Sequence, residues 1–144
     1  MKLGFAAIVA AGTIGIAIAA PVQARTIHYS ASLSGASEVP PHQTAGTGTV
    51  DADLDTATRT FTYTVTYAGL TGPAVAAHFH GPAAPGTNAP PIITLKDLAS
   101  PIKGSAVLTA DQMAELQAGK WYLNVHTKAF PAGEIRGQLT ARRD

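Results

Sequence analysis

The segment "RTFTYTVTY", residues 59 to 67, alternates without a break. Phe61, Tyr63, Val65 and Tyr67 fall on one side, and Thr60, Thr62, Thr64 and Thr66 on the other. Successive side chains of a strand point to opposite faces, so this pattern predicts an antiparallel strand with one face on a core and the other in water. Its β-branched and aromatic residues are the types that pack well on a pleated surface. "TIHYSASL" (26 to 33) alternates in the same way, with Ile27, Tyr29, Ala31 and Leu33 inward, and "GTGTVDADLD" (46 to 55) places Val50, Ala52 and Leu54 on one side. "DLDTATRT" supplies the hairpin turn between the second of these strands and the Phe61 strand.

Further strands are predicted at 74 to 80, around 92 to 95, at 103 to 108, at 121 to 127 and at 133 to 139. Turn residues separate them at short intervals, as in an all-β sandwich or barrel. One short connecting helix interrupts the series, in "LTADQMAELQAGKW". There Thr109 can cap the first turn while Gln112 reaches back, Met113 and Leu116 form an apolar edge, and Gly119 ends the helix in a left-handed conformation.

Ahead of the strands, Lys2 precedes an apolar run from Leu3 to Ala20, and Val22-Gln23-Ala24 reads as a small-residue cleavage site. Residues 1–24 are therefore expected to be a signal peptide, with an uncleaved anchor as the alternative, and residues 25–144 one domain. Export places the chain in the periplasm or outside the cell, away from the membrane once the leader is cut. The sequence holds 10 basic and 9 acidic residues; without Lys2 the charges balance, and no strongly basic stretch suits nucleic acid. The chain has no cysteine, so any metal must be held by nitrogen and oxygen ligands.

Strand parity then sorts the polar residues. In "AVAAHFH" Phe79 belongs to the core, which turns His78 and His80 away from it. In "WYLNVHT" Trp121, Leu123 and Val125 point inward, leaving Tyr122, Asn124 and His126 on the other face. In "GEIRGQL" Ile135 and Leu139 point inward, leaving Glu134, Arg136 and Gln138 outward. A lone outward histidine such as His28 reads as a surface residue. Histidines at i and i+2 on a strand are different, because their Cα atoms lie about 6 to 7 Å apart on one face and two rings can share an ion. A third imidazole from His126 makes a three-histidine set. Glu38 and Glu134 are the candidate oxygen ligands, or acceptors for an imidazole N–H. An exposed carboxylate is the plainer reading of both, with an ion pair to Arg136 open to Glu134. No Gly-flanked serine elbow, phosphate-binding loop or thiol competes. Asp51, Asp53 and Asp55 lack the spacing of a calcium loop and read as the solvated face and turn of a hairpin.

Taken together, "LSGASEVPP" (33 to 41), "FTYTVTYAGLTGPAVAAHFHGPAAPG" (61 to 86), "GSAVLTADQMAELQAGKWYLNVHT" (104 to 127) and "FPAGEIRGQL" (130 to 139) resemble the CHRD (chordin-domain) family, and the chain is similar to its secreted bacterial single-domain members. The resemblance implies an antiparallel, Greek-key-like β-sandwich whose architecture looks like that of copper/zinc superoxide dismutase. It carries His78 and His80 over through HxHGP, His126 through N-x-H-T, and Glu38 and Glu134 through the E-V-P-P and GEIRGQ segments. His42 stands where relatives more often have an apolar residue, and reads as a local addition to the site or as solvent-exposed. With neither a disulfide nor a second His/Asp cluster, a dismutase reading rests on one copper or iron ion per chain, with Arg136 guiding the superoxide anion. A non-catalytic extracellular binding module, and copper or iron storage and delivery, stand as alternatives, since a fold does not dictate a function.

Overall fold

The computed structural model describes residues 23–142. Apart from Gln23 and Ala24, the expected leader lies outside these residues. The described strands are β1 (Thr26–Ser34), β2 (Thr47–Asp55), β3 (Thr60–Ala68), β4 (Ala74–His80), β5 (Pro91–Thr94), β6 (Ile102–Val107), β7 (Tyr122–Thr127), β8 (Ile135–Gln138) and β9 (Thr140–Ala141). One helix, α1 (Ala110–Gln117), and a 3-10 turn (Gly35–Ser37) complete the set. All pairings are antiparallel, in the order β5-β4-β7-β8-β1-β2-β3-β6, with β9 beside β1. The fold is the expected all-β sandwich.

The sheet folds on itself at the β8–β1 seam, where the ladder holds the single pair Ser34 and Arg136. The two halves meet through aromatic rings. Phe79 of β4 stands edge-on to Phe61 and Tyr63 of β3, with centroids 5.2 and 5.0 Å apart, and Trp121 lies 5.7 Å from Phe61. Edge-to-face packing of this kind is favoured by the ring quadrupole and adds to the burial of area. Phe61, Val65, Phe79, Trp121, Leu123, Val125 and Ile135 are fully buried, and Tyr63 nearly so, as the alternation predicts.

Local signals act as read from the sequence. Asp55 Oδ1 accepts the N–H groups of Ala57 and Thr58, both at 2.8 Å, and Arg59 turns the chain with φ of 59° into β3. Thr109 and Gln112 form a reciprocal capping box, Leu116 is buried, and Gly119 takes φ of +71°.

Parity holds on β4, β7 and β8, but their outer face is not solvated. Tyr122, Asn124, Arg136, Glu38 and His80 are all buried. Segments 81–91 and 128–134 cover this face and supply hydrogen-bond partners: the Ala89 carbonyl to His80, the Thr87 carbonyl to Arg136, and the Pro131 and Ala132 carbonyls to His126 and Asn124. The central strands therefore carry a hydrophobic core on one side and a polar layer on the other. Alternation alone cannot show that a polar face is roofed.

Candidate metal centre

His78 and His80 come from the end of β4, and His126 from the neighbouring β7. The register pairs Ala76 with His126, His78 with Asn124, and His80 with Tyr122. His126 is thus diagonal to His78, within reach of a ring across the strands. His78 Nδ1 lies 3.1 Å from His126 Nε2, and the His78 and His80 ring centroids are 5.5 Å apart. One ligand atom from each of the three histidines lies within 4.8 Å of the others. The expected three-histidine set is brought together.

The rings are fixed from behind. His126 Nδ1–H donates to the Pro131 carbonyl at 2.9 Å, which turns the Nε2 lone pair towards His78. His80 Nδ1–H donates to the Ala89 carbonyl at 2.8 Å, which fixes the ring and directs Nε2 towards β7. This backing hydrogen bond is what sets tautomer and orientation at histidine metal sites. His80 Nε2 faces Asn124 Oδ1 at 2.9 Å, an acceptor, so it is engaged with Asn124 and ligates by exchanging that hydrogen bond for the ion.

Burial depresses the pKa of His78, with help from the neighbouring His126 and His80. Burial also depresses that of His80, against its hydrogen bonds to Ala89 and Asn124, with smaller contributions from His126 and Arg136. Both shifts favour the neutral imidazole, the form that ligates. Three nitrogen donors without a thiolate fit a borderline first-row ion such as copper, iron or zinc.

Arg136 is buried deep in the polar layer. Its guanidinium lies 3.5 Å from the Tyr122 ring centroid and donates to Asn88 Oδ1 and the Thr87 carbonyl. Tyr122 in turn stacks on His80 at 4.7 Å, so Arg136, Tyr122 and His80 form a stack across β8, β7 and β4.

The two glutamates do not join the histidine cluster among the described residues. Glu134 is fully buried at the start of β8. Its carboxylate accepts Thr44 Oγ1 and Thr127 Oγ1 at 2.6 Å, and Thr71 N–H and Thr71 Oγ1 at 2.9 Å. Burial raises its pKa, but these donors outweigh it and the net shift is downward. The ion pair open to Glu134 and Arg136 is not formed, because each is saturated by other partners. Glu38 lies behind Asn124, on the opposite side from His80. Burial pushes its carboxyl up to about 7, against the charge of Arg136, the Asn124 amide and the Val39 N–H. Gly133 makes room for it, since a Cβ there would stand 2.4 Å from Glu38 Oε1 and 2.6 Å from Asn124 Nδ2. His42 is half-buried, stacked 4.1 Å from Phe130 and bonded through Nε2 to the Glu134 carbonyl, apart from the cluster.

Asn124, Tyr122 and the Ala89 and Pro131 carbonyls were not singled out from the sequence. The signal for the first two was their shared parity with His126; the carbonyls carry none, because a covering loop reveals its targets only when folded.

An all-β sandwich with a partly buried cluster of three histidines, spaced as a metal ion would need, defines a class of extracellular-type β domain. Within that class, the model of the CHRD domain matches residues 29–139, and the chain belongs to the CHRD domain family. No curated protein and no solved structure matches it.

Proposed function

We propose that this protein is exported and holds one redox-active metal ion, copper or iron, on His78, His80 and His126, with superoxide as the substrate. The observation that carries the reading is the convergence of three imidazole nitrogens within 4.8 Å, two of the rings backed by main-chain carbonyls. When bound, an ion with two accessible oxidation states supplies one-electron transfer. The protein's part is to disfavour the charged form of His78 and His80 by burial, to lock the rings of His80 and His126, and to place the positive charge of Arg136 one ring, that of Tyr122, away from His80. That charge favours an anion near the site through its field rather than through contact. Glu38 and Glu134 act indirectly, Glu38 through Asn124 beside His80 and Glu134 through the end of β7 that carries His126. The apolar run ahead of the domain supports export, with cleavage after Ala24 leaving Arg25 as the N-terminus by mass spectrometry.

The burial of Arg136, with its donors committed to Asn88 and Thr87, favours a second reading, storage or delivery of the ion without turnover. Elemental analysis of untagged protein separates metal binding from none. One copper or iron per chain is expected, with a sharp loss in each of His78→Ala, His80→Ala and His126→Ala and none in His28→Ala. Equal loss in the His28 variant refutes the site. A loaded protein that dismutates superoxide no faster than the same ion on a simple chelator leaves storage and removes the enzyme.

A further inference from the structure

The three histidines share their face of the sheet with a fourth polar side chain. In the β4–β7 ladder His78 and Asn124 form one rung, His126 stands one rung to one side on β7, and His80 one rung to the other on β4. An ion drawn to all three rings is therefore centred on the middle rung, and Asn124 is the other half of that rung. The closest contacts follow the same order: His126 Nε2 lies 3.1 Å from His78 Nδ1, and Asn124 Oδ1 lies 2.9 Å from His80 Nε2.

The amide is aimed at the cluster. Its Nδ2 donates to the Ala132 carbonyl at 3.3 Å and turns towards the Glu38 carboxyl, both acceptors, so Oδ1 is the end that meets His80. His80 thus faces an oxygen acceptor at each nitrogen, the Ala89 carbonyl and Asn124 Oδ1, and a neutral imidazole has a single N–H for the two. An ion on Nε2 displaces any proton between Nε2 and Oδ1, and Asn124 is buried, so its oxygen is left without a donor. The ion itself is the replacement partner within reach. Donors that share one ion at ordinary bond lengths stand about 2.9 Å apart at a right angle and about 3.4 Å apart at the tetrahedral angle. The gaps of 2.9 and 3.1 Å meet the first and approach the second.

We propose that Asn124 Oδ1 is the fourth ligand of the ion held by His78, His80 and His126. The inference rests on the three-histidine reading and names a donor beyond it. An amide oxygen brings no charge, so four neutral donors leave a divalent ion its full positive charge, which suits an anionic substrate. Three imidazole nitrogens and one oxygen are also a set that copper(II) accepts in tetragonal geometry.

The probe is copper(II), added to untagged protein whose asparagines, Asn88 and Asn124, carry carbon-13 at Cγ. Electron–nuclear double resonance should resolve a strong carbon-13 coupling, because unpaired spin reaches the carbon of a bound amide through the bond. The coupling should vanish in Asn124→Leu, which keeps the Asn88 label. In competition with a chelator, Asn124→Leu should weaken copper binding by about tenfold or more, and His78→Ala should abolish it. Should the leucine variant fail to fold, the labelled parent still decides. No resolved coupling in the copper-loaded parent, or parental affinity in Asn124→Leu, overturns the proposal and leaves the three histidines to be judged by their own variants. A parent that takes up no copper also overturns it, and one that takes up no iron either removes the metal reading with it.

Discussion

Glu38→Gln tests how firmly the polar layer is sealed. Burial raises the Glu38 carboxyl from 4.5 to about 7. Between those values the folded chain keeps a proton that the unfolded chain has released. Folding there takes up a proton, and stability falls as pH rises. The penalty is absent well below 4.5 and complete above about 7. At about 1.4 kcal/mol per pH unit it grows to at most roughly 3 kcal/mol by pH 8, and is about 1 kcal/mol at pH 5. Glutamine resembles the protonated acid and escapes the penalty. Urea denaturation in amine-free buffer should therefore find Glu38→Gln more stable than the parent by about 1 kcal/mol at pH 5 and up to about 3 kcal/mol at pH 8. The histidine contributions are common to both chains and cancel in the difference. A difference that does not change with pH, or a glutamine variant less stable at pH 8, would mean that water reaches this carboxylate.

Three other substitutions probe different layers. Phe79→Ala removes a fully buried ring packed against Phe61, Tyr63 and Trp121, and should cost about 3 to 5 kcal/mol by denaturation; a loss below about 1 kcal/mol would remove Phe79 from the core and the parity argument with it. Gly133→Ala combines φ of +129° with a Cβ 2.4 Å from Glu38 Oε1, so a loss above about 2 kcal/mol is expected, and a neutral result in the same assay would show the turn to be slack. Thr127→Val keeps shape and deletes one of the Glu134 donors. Stability should fall by about 1 to 3 kcal/mol and the Glu134 pKa, read by NMR, should rise; an unmoved pKa would contradict the donor account.

Most of the fold was legible because its strands are half-buried. The Thr60 to Thr66 series meets water and the Phe61 to Val65 series meets the core, so a period of two survives in the composition. The capping box and Gly119 were legible for a similar reason: helix ends are settled by residues three or four apart. β9 was not read, since two exposed residues carry no pattern. The three histidines were legible from parity and spacing together with the family motifs. The surroundings of the carboxylates were not. Glu134 finds donors 63 and 90 residues away in sequence, at Thr71 and Thr44, and a threonine in a loop looks the same whether it faces solvent or a buried charge. Arg136 misled in the same way, because a charged residue at an outward position reads as exposed until a loop is seen to close over it.

Glu134 also bears on how the molecule opens. Its single carboxylate gathers donors from the segment before β2, from the turn between β3 and β4, and from the end of β7. None of these segments can leave alone without stranding an anion among the threonines that remain. They should therefore detach as one unit, and the amides of residues 44–46, 71 and 127 should exchange with deuterium at a common rate. Loop segments that are distant in sequence and would otherwise fray independently are tied by one charge into a single cooperative element.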